Sequence, residues 1–408
     1  MISFRGRTLL VSAVVLLLLT TSFNVATSKN ENKNITELKE KIDSNLIEKI
    51  IDLRIRLIMM LGHFPSISAC VIKGDEIVWY EGYGFTKKLP REKPTPDTIY
   101  PIGSVSKTVT ATAIMQLWER GLFDLDDNVN DYLDFDVRNP NYPDTNVTFR
   151  MLLAHHSSLT EKEDINYWYL SYVYFLHKND YPYPIIKEMI TAEGKFFKDA
   201  VWKDFEPGTR KSYSNINYIL LEHLVEVLSG QSFSDYCYEN IFEPLEMYNT
   251  SFYFNDLRDK ELARSYHFIG PIYIRYPYVD IGAGFGGLKT SINDFSHYAM
   301  AYINDGEWNG VRLLDNSTID LILTIQFKNA SNYSRNCLGW QYFGGFQSAE
   351  TYGHVGHAPG GSGAIFLDPN ENYAEIFFIN RYIQYKTIRD FISWFSLLSY
   401  LREKTKEV

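Results

Sequence analysis

The sequence predicts an α+β fold: an antiparallel sheet flanked by helices, with a mostly helical region inserted between strands from the two ends of the chain. Three observations predict it. Strand-like runs at Ile67–Ile72 and Ile77–Tyr80 lie near one end, and others at Gly353–Pro369 and Tyr373–Asn380 near the opposite end. Between them the apolar spacing is helical. The 408 residues, 45% hydrophobic and 22% charged, are ordinary globular usage and suffice for a large buried core.

The chain opens with Arg5 and Arg7, an almost wholly apolar stretch from Thr8 to Thr21, and small residues at Ala26 and Ser28. Basic, apolar, small is the layout of a secretory signal. Residues 1–28 are expected to be removed by cleavage near Ala26 or Ser28. The apolar stretch is shorter than the roughly 20 residues of a full span. An uncleaved signal anchor is the competing expectation, and the one case in which a membrane takes part. Residues 29–45 read as a polar stem and 46–408 as one domain, with 122–280 as its helical insertion. N-x-S/T sequons at Asn34, Asn146, Asn249, Asn316, Asn329 and Asn332 fit a glycosylated, exported protein, secreted or at the cell surface.

Within the domain, Leu46–Leu61 has helical spacing through Ile47, Ile50, Ile51, Leu53, Leu57 and Leu61. The first two strands are joined by a turn at Lys73-Gly74-Asp75. Val105–Arg120 reads as a helix stopped by Gly121. Residues 122–160 mix loops with a short helix. Tyr167–Ala200, rich in Tyr, Phe and Trp, reads as an insertion over a cleft. Ile219–Leu228 is an amphipathic helix ending at Gly230. Gly282–Gly287 is a glycine-rich bend, and Thr387–Lys404 is the last helix.

Composition excludes several functions. Basic and acidic residues number 40 and 50, so the net charge is −10. That argues against a nucleic-acid binder, which needs a basic face. Three cysteines, Cys70, Cys237 and Cys337, make no disulfide scaffold and no CxxC pair. G-x-S-x-G, HExxH and GxxxxGK[ST] are all absent. His155 and His156 are adjacent, so their side chains diverge and a structural role is expected. No metal and no cofactor are expected. The partner is a small-molecule or peptide substrate.

One catalytic pattern stands. Ser104-Val105-Ser106-Lys107 is an S-x-x-K opening a helix. Positions i and i+3 share a helix face, so Lys107 lies beside the Ser104 hydroxyl. The positive helix end favours a developing alkoxide. Serine needs a nearby base, and lysine serves as one only if burial or a cationic setting lowers its pKa. Serine caps and helical lysines are commonplace, so the motif gains weight from its company. Tyr213-Ser214-Asn215 is a Y-x-N, preceded by Phe205-Glu206-Pro207-Gly208-Thr209. Gly353-His354-Val355-Gly356-His357 lies on a predicted strand, where glycines allow close backbone approach by a substrate.

These three elements, in this order, resemble the serine β-lactamase and penicillin-binding protein superfamily, and within it the class C branch with its esterases, D-aminopeptidases and DD-peptidases. Leu122–Val129, Leu152–Leu159, Ser229–Phe233, Phe242–Met247 and Gly284–Leu288 also look like family segments. The resemblance covers roughly residues 48–400. It implies a β-lactamase/transpeptidase-like fold. It also implies that Ser104 is the acylated nucleophile, that Lys107 and Tyr213 share its proton, and that Asn215 bonds Lys107 and the substrate carbonyl region. His354 would face substrate from the third motif, with Gly356 beside it. The backbone N–H groups of Ser104 and His357 would form the oxyanion hole.

Two positions depart from the pattern. His354 replaces the usual Lys, and a neutral imidazole attracts a substrate carboxylate weakly. Val355 replaces the usual hydroxyl residue. Both changes favour an esterase or peptidase-like hydrolase over an efficient β-lactamase. The alternative from another class is a catalytically silent relative that binds a peptide or glycan.

Overall fold

The computed structural model describes residues 53, 55–161, 182–183, 185–191, 193–195, 201–269, 272–330, 335–344 and 350–383. The signal and stem (1–45), most of the aromatic stretch 167–200 and the helix expected over 387–404 lie outside the described residues. The chain divides into two compact units, residues 1–64 with 384–408, and residues 65–383. In the first, residues 55–62 are helical, as the spacing through Leu57 and Leu61 predicts.

In the second unit the two chain ends build one sheet. Its strands are β1 (Ser66–Lys73), β2 (Glu76–Gly84), β3 (Gln341–Tyr342), β4 (Tyr352–Ala358), β5 (Gly361–Asp368) and β6 (Tyr373–Ile379). The order is β2-β1-β6-β5-β4-β3, and every neighbouring pair is antiparallel. β1 meets β6 in an unbroken register from Ile67 opposite Ile379 to Lys73 opposite Tyr373. Gly74, at φ +56°, makes the predicted β1–β2 turn. β5 and β6 are buried at every position. With both faces covered, a strand reads as an apolar run rather than an alternation. Cys70 is fully buried, and burial pushes its thiol pKa up, so it is inert.

Three helices matter for the site: α1 (Ser106–Glu119), α2 (Asn215–Ser229) and α3 (Ile292–Ile303). α3 packs on β1, β5 and β6. α1 is buried on all sides from Ser106 to Leu117, as expected of a helix through the middle of a core. Its Thr110 hydroxyl donates to Gly284 O, and the Thr112 hydroxyl lies 2.8 Å and 2.7 Å from those of Tyr298 and Tyr302, so the buried threonines are satisfied. Trp340 is in the core, 1% exposed.

Three expectations are corrected. α2 starts at Asn215, not Ile219, and is not amphipathic at first: Asn215 to Val225 are all buried. Asn215 and Asn217 break the apolar pattern because hydrogen bonds, not hydrophobicity, allow their burial. The bend at 282–287 contains a single helical turn, Ala283–Gly286. The inserted region 122–280 is not simply helical. It contains an antiparallel pair, Tyr266–Ile269 with Ile272–Arg275, whose β-branched and aromatic residues favour strands.

Candidate active site

Ser104 sits in a 3-10 turn, Gly103–Val105, immediately before α1 rather than in the helix itself. Gly103 has φ +57°, a left-handed conformation that suits glycine. A Cβ there would lie 2.5 Å from the backbone N and C of His357. Across the same contact, a Cβ at Gly356 would lie 2.0 Å from Ile102 O. The glycines of the third motif thus admit the turn that carries Ser104. The approach read as a substrate's is made by the protein's own backbone. Leu288 N donates to Ser106 Oγ at 3.0 Å, and Ile102 N donates to Leu288 O at 3.1 Å, which ties the turn to the segment after the helical turn 283–286.

Lys107 points back to Ser104, as the i, i+3 spacing predicts. Its Nζ donates to Ser104 Oγ at 3.1 Å, to Asn215 Oδ1 at 2.7 Å and to Phe285 O. The side chain is fully buried. Burial lowers its pKa from 10.5 to about 7, against the opposing pull of the Glu161 carboxylate. The rings of Tyr213, Tyr218 and Phe285 surround Nζ at 5.2, 5.4 and 5.8 Å.

Tyr213 donates its hydroxyl to Ser104 Oγ at 2.9 Å. Desolvation raises the phenol's pKa, against the hydrogen bond to Ser104, so the phenol is neutral at pH 7. The His155 ring packs on the Tyr213 ring with centroids 4.4 Å apart. His155 Nδ1 accepts from Ser214 N at 3.3 Å, and lies 3.2 Å from Asn217 Nδ2. The structural role read for His155 is therefore specific: it seats the Y-x-N segment. Ser214 caps α2, its Oγ accepting from Ile216 N at 3.2 Å, and this places Asn215 in the first turn.

The third motif lies on β4. His354 is buried, 3% exposed, with Nδ1 3.0 Å from Val355 O. A carbonyl only accepts, so Nδ1 carries the proton and Nε2 keeps its lone pair. Burial, then the nearby Lys107 charge, lowers its pKa to about 3, so the ring is neutral. His357 Nδ1 lies 3.0 Å from Ser362 Oγ, and burial likewise lowers its pKa to about 3.

Two participants escape the motif reading. Phe285 contributes only a carbonyl oxygen, which no side-chain identity announces. Its helical turn is pinned where Gly284 N donates to Glu222 on α2 at 2.7 Å. Glu161 bonds Asn215, although the two are 54 residues apart in the chain. Its one sequence signal is its place two residues after the family-like segment ending at Leu159. Among the described residues no group of three or more His, Cys, Asp or Glu is placed to hold a metal ion.

Comparison with known proteins identifies the family and the fold. A family model described as Beta-lactamase matches residues 51–389. Protein flp of Staphylococcus aureus (strain MRSA252) is 25% identical over 84% of this chain, and the alignment covers 64% of that relative, so the chain spans under two thirds of its length. The octameric penicillin-binding protein homologue from Pyrococcus abyssi superposes with TM-score 0.67 at 25% identity, covering 89% of this chain and 77% of its own. Class C β-lactamase from Rhodobacter sphaeroides superposes with TM-score 0.63 at 18% identity, covering 86% of this chain and 99% of its own, a likeness of fold.

Proposed function

The chain belongs to the β-lactamase family, with that family's fold, and on this premise we propose that it is an exported serine hydrolase that cleaves ester or amide bonds through an acyl-enzyme on Ser104. Lys107 Nζ carries this reading. Asn215 Oδ1 and Phe285 O only accept hydrogen bonds, so they take both protons of a neutral Lys107 amine. Its lone pair is then left for the third neighbour, Ser104 Oγ, 3.1 Å away. A lysine whose pKa is about 7 is neutral often enough to act as that base. A neutral Tyr213 phenol is already a donor to Ser104 Oγ, so its part is to hold and deliver a proton rather than to remove one.

In the proposed reaction Ser104 Oγ attacks the substrate carbonyl carbon while its proton passes to Lys107. The oxyanion is held by the backbone N–H groups of Ser104 and His357, each such donor contributing about 3–4 kcal/mol when aligned. The proton then passes from Lys107, through Tyr213, to the departing alcohol or amine. Water then attacks the acyl carbon while giving a proton to the same base, and that proton returns to Ser104 Oγ as the bond to the acyl carbon breaks and the acid leaves. The neutral His354 ring offers substrate a lone pair rather than a charge, which favours esters and amides without a carboxylate beside the reacting bond.

Intact mass after brief exposure to a fluorophosphonate tests this. One adduct on the wild type and none on Ser104→Ala supports it. No adduct on either favours the silent peptide or glycan binder. The same spectrum reads whether the mature chain starts after Ala26 or Ser28.

A further inference from the structure

Glu161 comes from a part of the chain that carries no recognised motif, yet it is built into the site. Its segment is anchored where Thr160 N donates to Val201 O and Lys203 N donates to Ser158 O, each at 2.9 Å. Oε1 accepts from the backbone N–H of Asn215 and, at 3.3 Å, from that of Ile216. It also accepts from the Ser214 hydroxyl at 3.4 Å. Oε2 accepts from Asn215 Nδ2 at 3.0 Å. One carboxylate therefore holds both the first turn of α2 and the nitrogen end of the Asn215 amide.

The amide matters because its two ends are nearly the same size and opposite in chemistry. Turned over, Asn215 would set its oxygen against the Glu161 carboxylate and its NH2 against the Lys107 N–H groups. The first contact is repulsive, and at the second the NH2 repels the ammonium N–H groups or draws the lone pair of the neutral amine away from Ser104. With Glu161 in place only one orientation satisfies every group, and it is the one that puts Oδ1 on Lys107.

We infer that Glu161 is a positioning residue: it locks the Asn215 amide so that Oδ1 faces Lys107 and the Lys107 lone pair is directed at Ser104. The inference rests on Lys107 being the base proposed above.

Glu161 also acts through its charge. Tyr213, just before α2, and Tyr218, on α2, are neutral because desolvation of the phenol oxygen raises their pKa. His155 and His354 face Lys107 and are neutral because burial lowers them. Lys211 acts on those two histidines. Ser104 and Phe285 O carry no charge. Burial raises the Glu161 pKa, opposed by the Lys107 charge and by the hydrogen bonds it accepts from Asn215 and Ile216; in its ionised form it favours Lys107 ammonium, so removing it moves the Lys107 titration to lower pH.

The test is the fluorophosphonate labelling rate of Ser104 against pH in wild type, Glu161→Gln and Glu161→Asp. In the wild type the acid limb is expected at about 7, where burial places the Lys107 pKa. Glu161→Gln is expected to move that limb to lower pH and to reduce the plateau about 10- to 100-fold, as for a misplaced catalytic group. Glu161→Asp keeps the charge but draws it back, so the limb stays and the plateau falls. A role confined to capping α2 would lower the melting temperature and leave the limb unmoved, which would overturn the inference. The Lys107 titration, followed by NMR of lysine labelled at Cε in Ser104→Ala protein with and without Glu161→Gln, reads the same linkage with no catalytic step. A downward shift there sustains the inference even if the wild type fails to label, and no shift there overturns it even if labelling succeeds.

Discussion

Gly356 and Ser104 touch through their backbones: a Cβ added at Gly356 would lie 2.6 Å from the Ser104 amide nitrogen. The nucleophile's turn is thus pressed into the third motif at a point where no side chain fits, and the placement of Ser104 depends on a glycine more than 250 residues away in the chain.

Gly356→Ala is therefore expected to cost about 1–3 kcal/mol, the usual range for overpacking, and to slow labelling of Ser104. Thermal unfolding and labelling rate, measured together, check it. An unaltered protein by both would show that strand and turn separate easily.

Lys107→Arg keeps a cation and removes the lone pair, because a guanidinium does not deprotonate in proteins. Labelling is expected to fall by about 10²-fold or more at every pH, as for loss of a positioned base. Near-normal labelling would assign Lys107 an electrostatic role only.

The wild-type labelling rate should rise with pH through an acid limb at about 7, because the reactive form is the neutral amine and burial lowers the Lys107 pKa to that value. Protonation below the limb blocks the base. A rate that does not change across the limb would place the base elsewhere.

Tyr213→Phe removes the hydroxyl that donates to Ser104 Oγ at 2.9 Å while keeping the ring against His155. Turnover of an ester substrate is expected to fall by about 10²-fold, the scale of a proton-transfer group. The acid limb should remain, since it belongs to Lys107. A limb that vanished with the hydroxyl would exchange the two roles.

His354, with a pKa lowered to about 3 by burial, stays neutral above that value. KM for a substrate bearing a carboxylate should therefore show no His354 titration between about pH 5 and 8, the range in which an ordinary histidine changes charge. His354→Lys with Val355→Thr is expected to raise nitrocefin turnover by adding a cation and a hydroxyl. An unchanged rate would place substrate choice outside the third motif.

The sequence by itself determined what is local. Ser104 and Lys107 are three residues apart, and the turn that runs into α1 sets them on one face, where their polar atoms lie 3.1 Å apart. The strands around Gly74 and at Tyr373 were legible from β-branched and aromatic runs broken by turn residues. Tyr213 and Asn215 were found through family likeness, since Y-x-N triplets also occur at Tyr238 and Tyr302. Only the tertiary structure decided the rest. The start of α2 at Asn215 was hidden because buried asparagines look like surface in a hydrophobic pattern, although Ser214 was a cap signal. Phe285 acts through a backbone oxygen that every residue possesses. Glu161 reaches Asn215 across 54 residues, and its place just after a family-like segment does not announce that partner. Spacing along the chain fixes neighbours within a helix or hairpin, whereas the acceptors that direct the Lys107 lone pair come from separate segments and meet only when the core closes around them.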